Sequence, residues 1–297
     1  MGSSLIAGAR ILSVTWSEKL QAGHLWPRFP TVRHRPYIAR MENFDKYAKC
    51  WANSLGDCKG PMSREHIFSN ATSRKDSKIP LAVKGMANMP DRTIGFDGPT
   101  ARILCQSHNS RLSILDSEAK KLADGLHKLV DGEEHTTVHV NGPLLERWAL
   151  KTLINFLASG LADKKKRTPD RDLVLSTYGK TCLPGGCGLY LLRLDGYEPL
   201  STEQSGVTPT WAGSTEGTPE ACMGGIIYLH GVAFFLLLDI AFLEALRTRD
   251  LGFTKSNIPL SYDRLKYHPI AAQLSDGQGH SLAVLFDWPQ GEEAPTQ

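Results

Sequence analysis

The chain has no run of about twenty apolar residues free of charge, the length a membrane-spanning helix needs. Its most apolar stretch, Ile226 to Leu246, carries His230, Asp239 and Glu244, and is expected to be a buried strand and helix instead. It has little net charge: +3 over 297 residues. That excludes a uniformly basic surface, so any nucleic-acid contact must be local. Cysteine is scarce, six in the whole chain and unevenly spaced, which excludes a disulfide framework and points to reduced thiols, some holding metal. No internal repeat is present. A phosphate-binding loop is missing as well: Gly185-Gly186-Cys187-Gly188 lacks the lysine and the following helix.

Apolar content of 41% and charged content of 22% are those of a globular protein with room for one large domain or two small ones. Residues 1–41 differ from the rest. Residues 1–40 hold five Arg and one Lys against a single Glu, with Trp16, Trp26, Pro27, Pro30 and Pro36 among them. A targeting peptide, a basic arm on nucleic acid and an upstream extension before Met41 all fit that composition.

From residue 42 the chain becomes ordered in pattern. Cys50 and Cys58 flank a turn-rich segment, Asn53 to Pro61. Ser63-Arg64-Glu65-His66-Ile67-Phe68-Ser69 reads as a strand. Residues 70–100 are polar and proline-containing, and read as one long loop. Ala101 to Cys105 is a second strand. A helix then opens at Ser107 to Asn109, with Leu112, Leu115, Ala119, Leu122, Ala123, Leu126 and Leu129 at helical spacing. Thr136 to Val140 alternates as a strand, and Asn141-Gly142-Pro143 starts a second long helix over 144–161. Its Leu145, Trp148, Ala149, Thr152, Leu153, Phe156 and Leu157 form a face expected to pack on the first helix. Strands follow at 189–194, 226–229, 232–238, 271–274 and 281–286. The fold class is α+β, with long helices and a β-rich C-terminal region.

Two clusters carry chemistry. Glu65 and His66 are adjacent on a strand, so they face opposite sides of the pleat unless it twists or bulges. A carboxylate suits a hard cation, and a histidine suits deprotonation of water near neutral pH. Leu104-Cys105-Gln106-Ser107-His108-Asn109 places two metal-type ligands and an amide at a strand–helix junction. Cys50, Cys58, Cys105 and His108 read either as a four-ligand zinc site or as buried thiols and a capping histidine. Asn109 is a cap or a ligand. Cys182, Cys187 and Cys222 favour buried thiols over a second metal site. Asp116 reads as support for a metal site or as a surface acid.

Ser63-Arg-Glu-His-Ile-Phe-Ser followed by Leu-Cys-x-x-His-Asn-Ser-x-Leu-Ser-x-Leu-Asp116 resembles the HNH endonucleases, in a bacterial subgroup. The resemblance covers about 70 residues, a quarter of the chain. It implies a ββα-metal core over 42–130, with 131–297 as a helix plus β-rich region of unassigned role. It implies that His66 is the general base, that Glu65 and Asn109 hold one catalytic Mg²⁺ or Mn²⁺, and that Cys50, Cys58, Cys105 and His108 hold a structural Zn²⁺. The family's zinc half-sites are Cys-x-x-Cys pairs. Here the second is Cys-x-x-His, and the first is stretched to seven intervening residues, which works only if the Asn53 to Asp57 turn folds back. The family's middle Asn has no counterpart between Met89 and Leu104. Arg64, Arg74, Lys75, Arg102 and Arg111 flank the site and are expected to contact a nucleic-acid backbone. The implied protein is cytoplasmic, cuts nucleic acid (double-stranded DNA first), works in restriction, phage defence or a mobile element, and forms a homodimer if it cuts both strands. The rival is a non-catalytic zinc-knuckle module binding nucleic acid or a partner.

Overall fold

β-Prone residues between turn formers set the strands of the N-terminal half. A computed structural model describes residues 46–72, 81–83, 92–94, 99–133, 136–162, 166–194, 205–211, 221–240, 260–264, 271–275 and 279–288. Strand β1 (Met62–His66) is followed by a short hairpin, β2 (Leu81–Val83) and β3 (Arg92–Ile94), and then by β4 (Thr100–Cys105). β1 and β4 pair antiparallel, Met62 opposite Cys105 and His66 opposite Thr100, with a register shift between Ser63 and Glu65. The stretch expected to be one long loop therefore holds a hairpin of its own. Residues 1–41, with Arg74 and Lys75, lie outside the described residues.

β4 runs without a linker into helix α1 (Gln106–Arg111). Helix α2 (Ser113–Val130) continues after a break at Leu112, whose N–H bonds the Asn109 carbonyl at 3.0 Å. The helix thus opens earlier than the sequence predicts. Its N-cap is Cys105, and Asn109 lies within the first turns, not at the cap. All seven apolar residues predicted for its inner face are buried, each worth ~1.5–3 kcal/mol for a leucine. Gly125 sits mid-helix because strand β5 (Thr136–Asn141) crosses it closely: an added Cβ would stand 2.5 Å from Val138 Cγ2. Gly125→Ala is expected to lose about 1–3 kcal/mol by overpacking, read as a lower urea midpoint; an unchanged midpoint would contradict that packing.

Helix α3 (Gly142–Ser159) is the hub. Asn141 caps it by accepting the Leu144 N–H at 3.0 Å, Pro143 sits in its first turn, and Gly160 ends it in the left-handed conformation at φ 78°. Asn141→Ala is expected to cost about 1 kcal/mol, measurable as a shift of the unfolding midpoint. The helix touches α2, β4 and β5 on one side, and the large sheet and helix α4 (Arg171–Thr177) on others. The face predicted to pack on α2 is buried save for half-buried Leu157, but Leu150, Ile154 and Ala158 on the other side are buried too. Burial all round makes an unpaired polar group costly, and on α3 Trp148 Nε1 is the one described side-chain atom buried without a partner. Glu146 accordingly accepts the Leu189 N–H at 2.9 Å, and Thr152 donates to the Trp148 carbonyl.

The C-terminal half supplies strands β6 (Gly188–Leu194), β7 (Gly206–Trp211), β8 (Cys222–Leu229), β9 (Val232–Leu237), β10 (Leu260–Arg264), β11 (Ala271–Ser275) and β12 (Ser281–Asp287). Five form an antiparallel sheet in the order β10-β6-β9-β8-β7. β11 and β12 make the expected closing hairpin, and β12 also pairs parallel with β5. The β8–β9 turn at His230-Gly231 has positive φ at both residues, and His230 Nε2 lies 2.8 Å from the Thr72 carbonyl. That contact ties the large sheet to the turn after β1. No helix among the described residues is long and apolar enough to cross a membrane. The architecture is α+β, and one continuous core runs from Tyr47 to Phe286.

Candidate metal centre and the Glu65–His66 strand

The stretched first half-site is closed by a single turn of 3-10 helix, Asn53–Leu55, ended by Gly56 at φ 76°. It folds the chain back so that Cys58 returns beside Cys50. β4 and α1 bring Cys105 and His108 to the same point. His108 Nδ1 lies 3.4 Å from Cys50 Sγ, 3.4 Å from Cys58 Sγ and 3.2 Å from Cys105 Sγ. All four ligand atoms fall within 4.8 Å of one another. Zn–S and Zn–N bonds in a tetrahedron imply S···N edges of about 3.6 Å, so the cluster is already close to ligand geometry. These four residues are suited to binding a metal ion such as zinc. They are the one such group among the described residues; Cys182 is exposed while Cys187 is buried, and burial pushes the Cys222 thiol up to about 11.

The surroundings favour an ion on the same side of the histidine. Asp57 Oδ1 lies 2.8 Å from His108 Nε2, which places the proton on Nε2 and leaves the Nδ1 lone pair facing the sulfurs. Burial lowers the His108 pKa, opposed by the hydrogen bond to Asp57. Arg111 reaches both Asp57 oxygens, at 2.9 and 3.4 Å, and its guanidinium lies 4.9 Å from the Tyr178 ring centre. Tyr178 donates its hydroxyl to the His108 carbonyl at 3.1 Å. Asp57 itself is partly buried, which raises its pKa, but Arg111 and His108 outweigh this and hold it low. The thiols behave oppositely. Burial pushes Cys50 and Cys58 up, and for Cys58 the neighbouring Cys50 and Cys105 add to the rise. Three thiolates so close need a cation to ionise together.

Glu65 lies on the inner face of β1, 5% exposed. The Lys151 ammonium from α3 reaches Glu65 Oε1 at 2.7 Å and Asp116 Oδ1 and Oδ2 at 2.9 and 2.8 Å. Asn155, one turn further on, donates to the same Glu65 Oε1 at 3.2 Å and to the His66 carbonyl at 3.3 Å. Trp51 Nε1 donates to Asn155 Oδ1 at 3.0 Å. Both contacts to Glu65 fall on Oε1, and none of the described residues hydrogen-bonds Oε2. Burial lowers the Lys151 pKa, but Asp116 and Glu65 outweigh it and hold the ammonium above the ordinary value of 10.5.

His66 is half-buried, and its Nδ1 is buried without a hydrogen-bond partner in the structure. Asn109 is half-buried in α1 and shares no hydrogen bond with Glu65 or His66. Arg64 is exposed, with one contact of 3.4 Å to Thr100 Oγ1, and Arg102 is exposed on β4. Arg111 is turned to Asp57 and Tyr178. The structure therefore brings the four zinc-type ligands together and places Glu65 and His66 on one strand beside α3. Asp57, Lys151, Asn155 and Tyr178 were not anticipated. A lone lysine inside the apolar run Trp148 to Ala158 was the one signal that could have exposed Lys151.

No protein-family model, curated protein or solved structure matches this chain.

Proposed function

We propose that the protein is a metal-dependent endonuclease of the HNH type, with a ββα core built from β1, β4 and α1–α2 and stapled by Zn²⁺ on Cys50, Cys58, Cys105 and His108. The observation that carries this is the strand–helix junction. β1 bears Glu65-His66, its partner β4 runs directly into α1, and the same junction supplies two ligands of the cysteine–histidine cluster. The orphaned Nδ1 of His66 fits a side chain kept for a ligand and not for packing.

In this proposal His66 takes the proton from an attacking water. Glu65, through its unbonded Oε2, and Asn109 would hold a divalent cation, which supplies charge neutralisation on the scissile phosphate. Asn155 and Lys151 keep the Glu65 carboxylate in one orientation. Exposed Arg64 and Arg102 contact the phosphate backbone.

A second reading, a zinc-knuckle module that binds nucleic acid or a partner without cutting it, is favoured by one fact. The charge of Glu65 is already countered by Lys151.

A plasmid-cleavage assay separates them. Wild type should nick or linearise DNA with Mg²⁺ or Mn²⁺ and stop in EDTA. His66→Ala should cut about 10²–10⁴-fold more slowly while melting like wild type. Cleavage by His66→Ala at the wild-type rate removes the base assignment. Binding without scission under every metal favours the knuckle.

A further inference from the structure

We infer that Lys151 is a positioning residue for Glu65: it occupies the gap between Glu65 and Asp116 as a built-in cation and leaves Glu65 Oε2 as the carboxylate atom open to the catalytic ion. The inference rests on the nuclease reading and deepens it. Two carboxylates from different elements, β1 and α2, converge on one ammonium from a third, α3, at 2.7–2.9 Å. Without the lysine this gap would itself attract a divalent cation, since two carboxylates at such a spacing are a common hard-ion site. An ion lodged there would be drawn to Oε1 and away from the phosphate.

The geometry selects which oxygen remains. Lys151 and Asn155 both bind Oε1. They also come from successive turns of one buried helix, and Asn155 is fixed in turn by Trp51. Glu65 is therefore oriented by a rigid wall and not by solvent. Asn155 binds the His66 carbonyl as well, so the same helix sets the backbone of the proposed base. The local charge, two carboxylates against one ammonium, is negative by one. That residue of charge favours a cation at the open oxygen.

The test uses the full chain with its zinc content checked. Mn²⁺ binding is followed by electron paramagnetic resonance, and cleavage is measured at saturating Mg²⁺. Lys151→Met should cut about 10²-fold more slowly, the scale of a displaced reacting group, and more Mg²⁺ should not restore the rate. Its Mn²⁺ binding should become tighter, because Asp116 is freed to join Glu65. Lys151→Arg should recover part of the rate. The double variant Lys151→Met with Asp116→Asn keeps the local charge and guards against a single variant that does not fold. It too should cut about 10²-fold more slowly.

If the double variant, or folded Lys151→Met, cuts within about twofold of wild type with unchanged Mn²⁺ affinity, the positioning role is overturned and the nuclease reading stands. If wild type neither binds Mn²⁺ nor cuts, the nuclease reading falls and takes this role with it.

Discussion

Stripping the metal from purified protein with a chelator should lower its melting temperature by more than about 10 °C, because several kcal/mol of ion binding is folding free energy and each is worth ~2–4 °C in a chain of this size. The cluster joins two pieces of chain, the turn at Cys50 to Cys58 and the continuous β4–α1 junction. The ion would close them together. In its absence burial keeps the Cys50 and Cys58 thiols protonated, so zinc uptake near neutral pH should release at least about two protons, and affinity should fall as pH falls. Cys105→Ser should lose the metal and most of the stability difference. His108→Cys should keep the metal as a four-cysteine site, at some loss from the broken bond to Asp57. Protein that is metal-free as isolated and melts unchanged after chelation would show that the cluster is four packed side chains and no more.

Much of this site was legible in the residues, for reasons that are local. Cys105-x-x-His108 at a strand–helix junction is short enough for spacing to fix geometry. The first half-site was harder, since seven residues between Cys50 and Cys58 can close only with a tight turn. Gly56 in a left-handed conformation is what makes that turn. β-Prone residues located β1, alternation located β5, and the apolar period located α2 and α3. Periodicity does not say whether a helix is covered on one face or all round, so the inward direction of Lys151 and Asn155 was not visible. The parallel pairing of β5 with β12 joins segments some 140 residues apart in sequence, and nothing in either strand names its partner. The hairpin β2–β3 was missed because its three-residue strands are too short to show a period among prolines and lysines.

Lys151→Met should destabilise the fold by about 3–5 kcal/mol, the usual result of removing one partner from a buried ion pair. The stem of methionine fills the same path through α3, so little of the loss is packing. What remains is the Glu65 carboxylate, 5% exposed, and Asp116 facing it with no counter-charge. Asn155 still serves Glu65 Oε1, which limits the effect. Adding Asp116→Asn should restore much of the stability, because the second uncompensated negative charge, on half-buried Asp116, goes with it; the two changes are coupled and will not add. The pH dependence has a defined sign. The folded-state pKa of Lys151 is held above 10.5, so its contribution is fully present below that value and is lost only as pH rises through the higher folded value. The gap between wild type and Lys151→Met, measured by urea unfolding, should therefore stay level from about pH 6 to 9 and narrow only in stronger alkali. A single variant as stable as wild type would mean that the ammonium, Glu65 and Asp116 are not held together in solution.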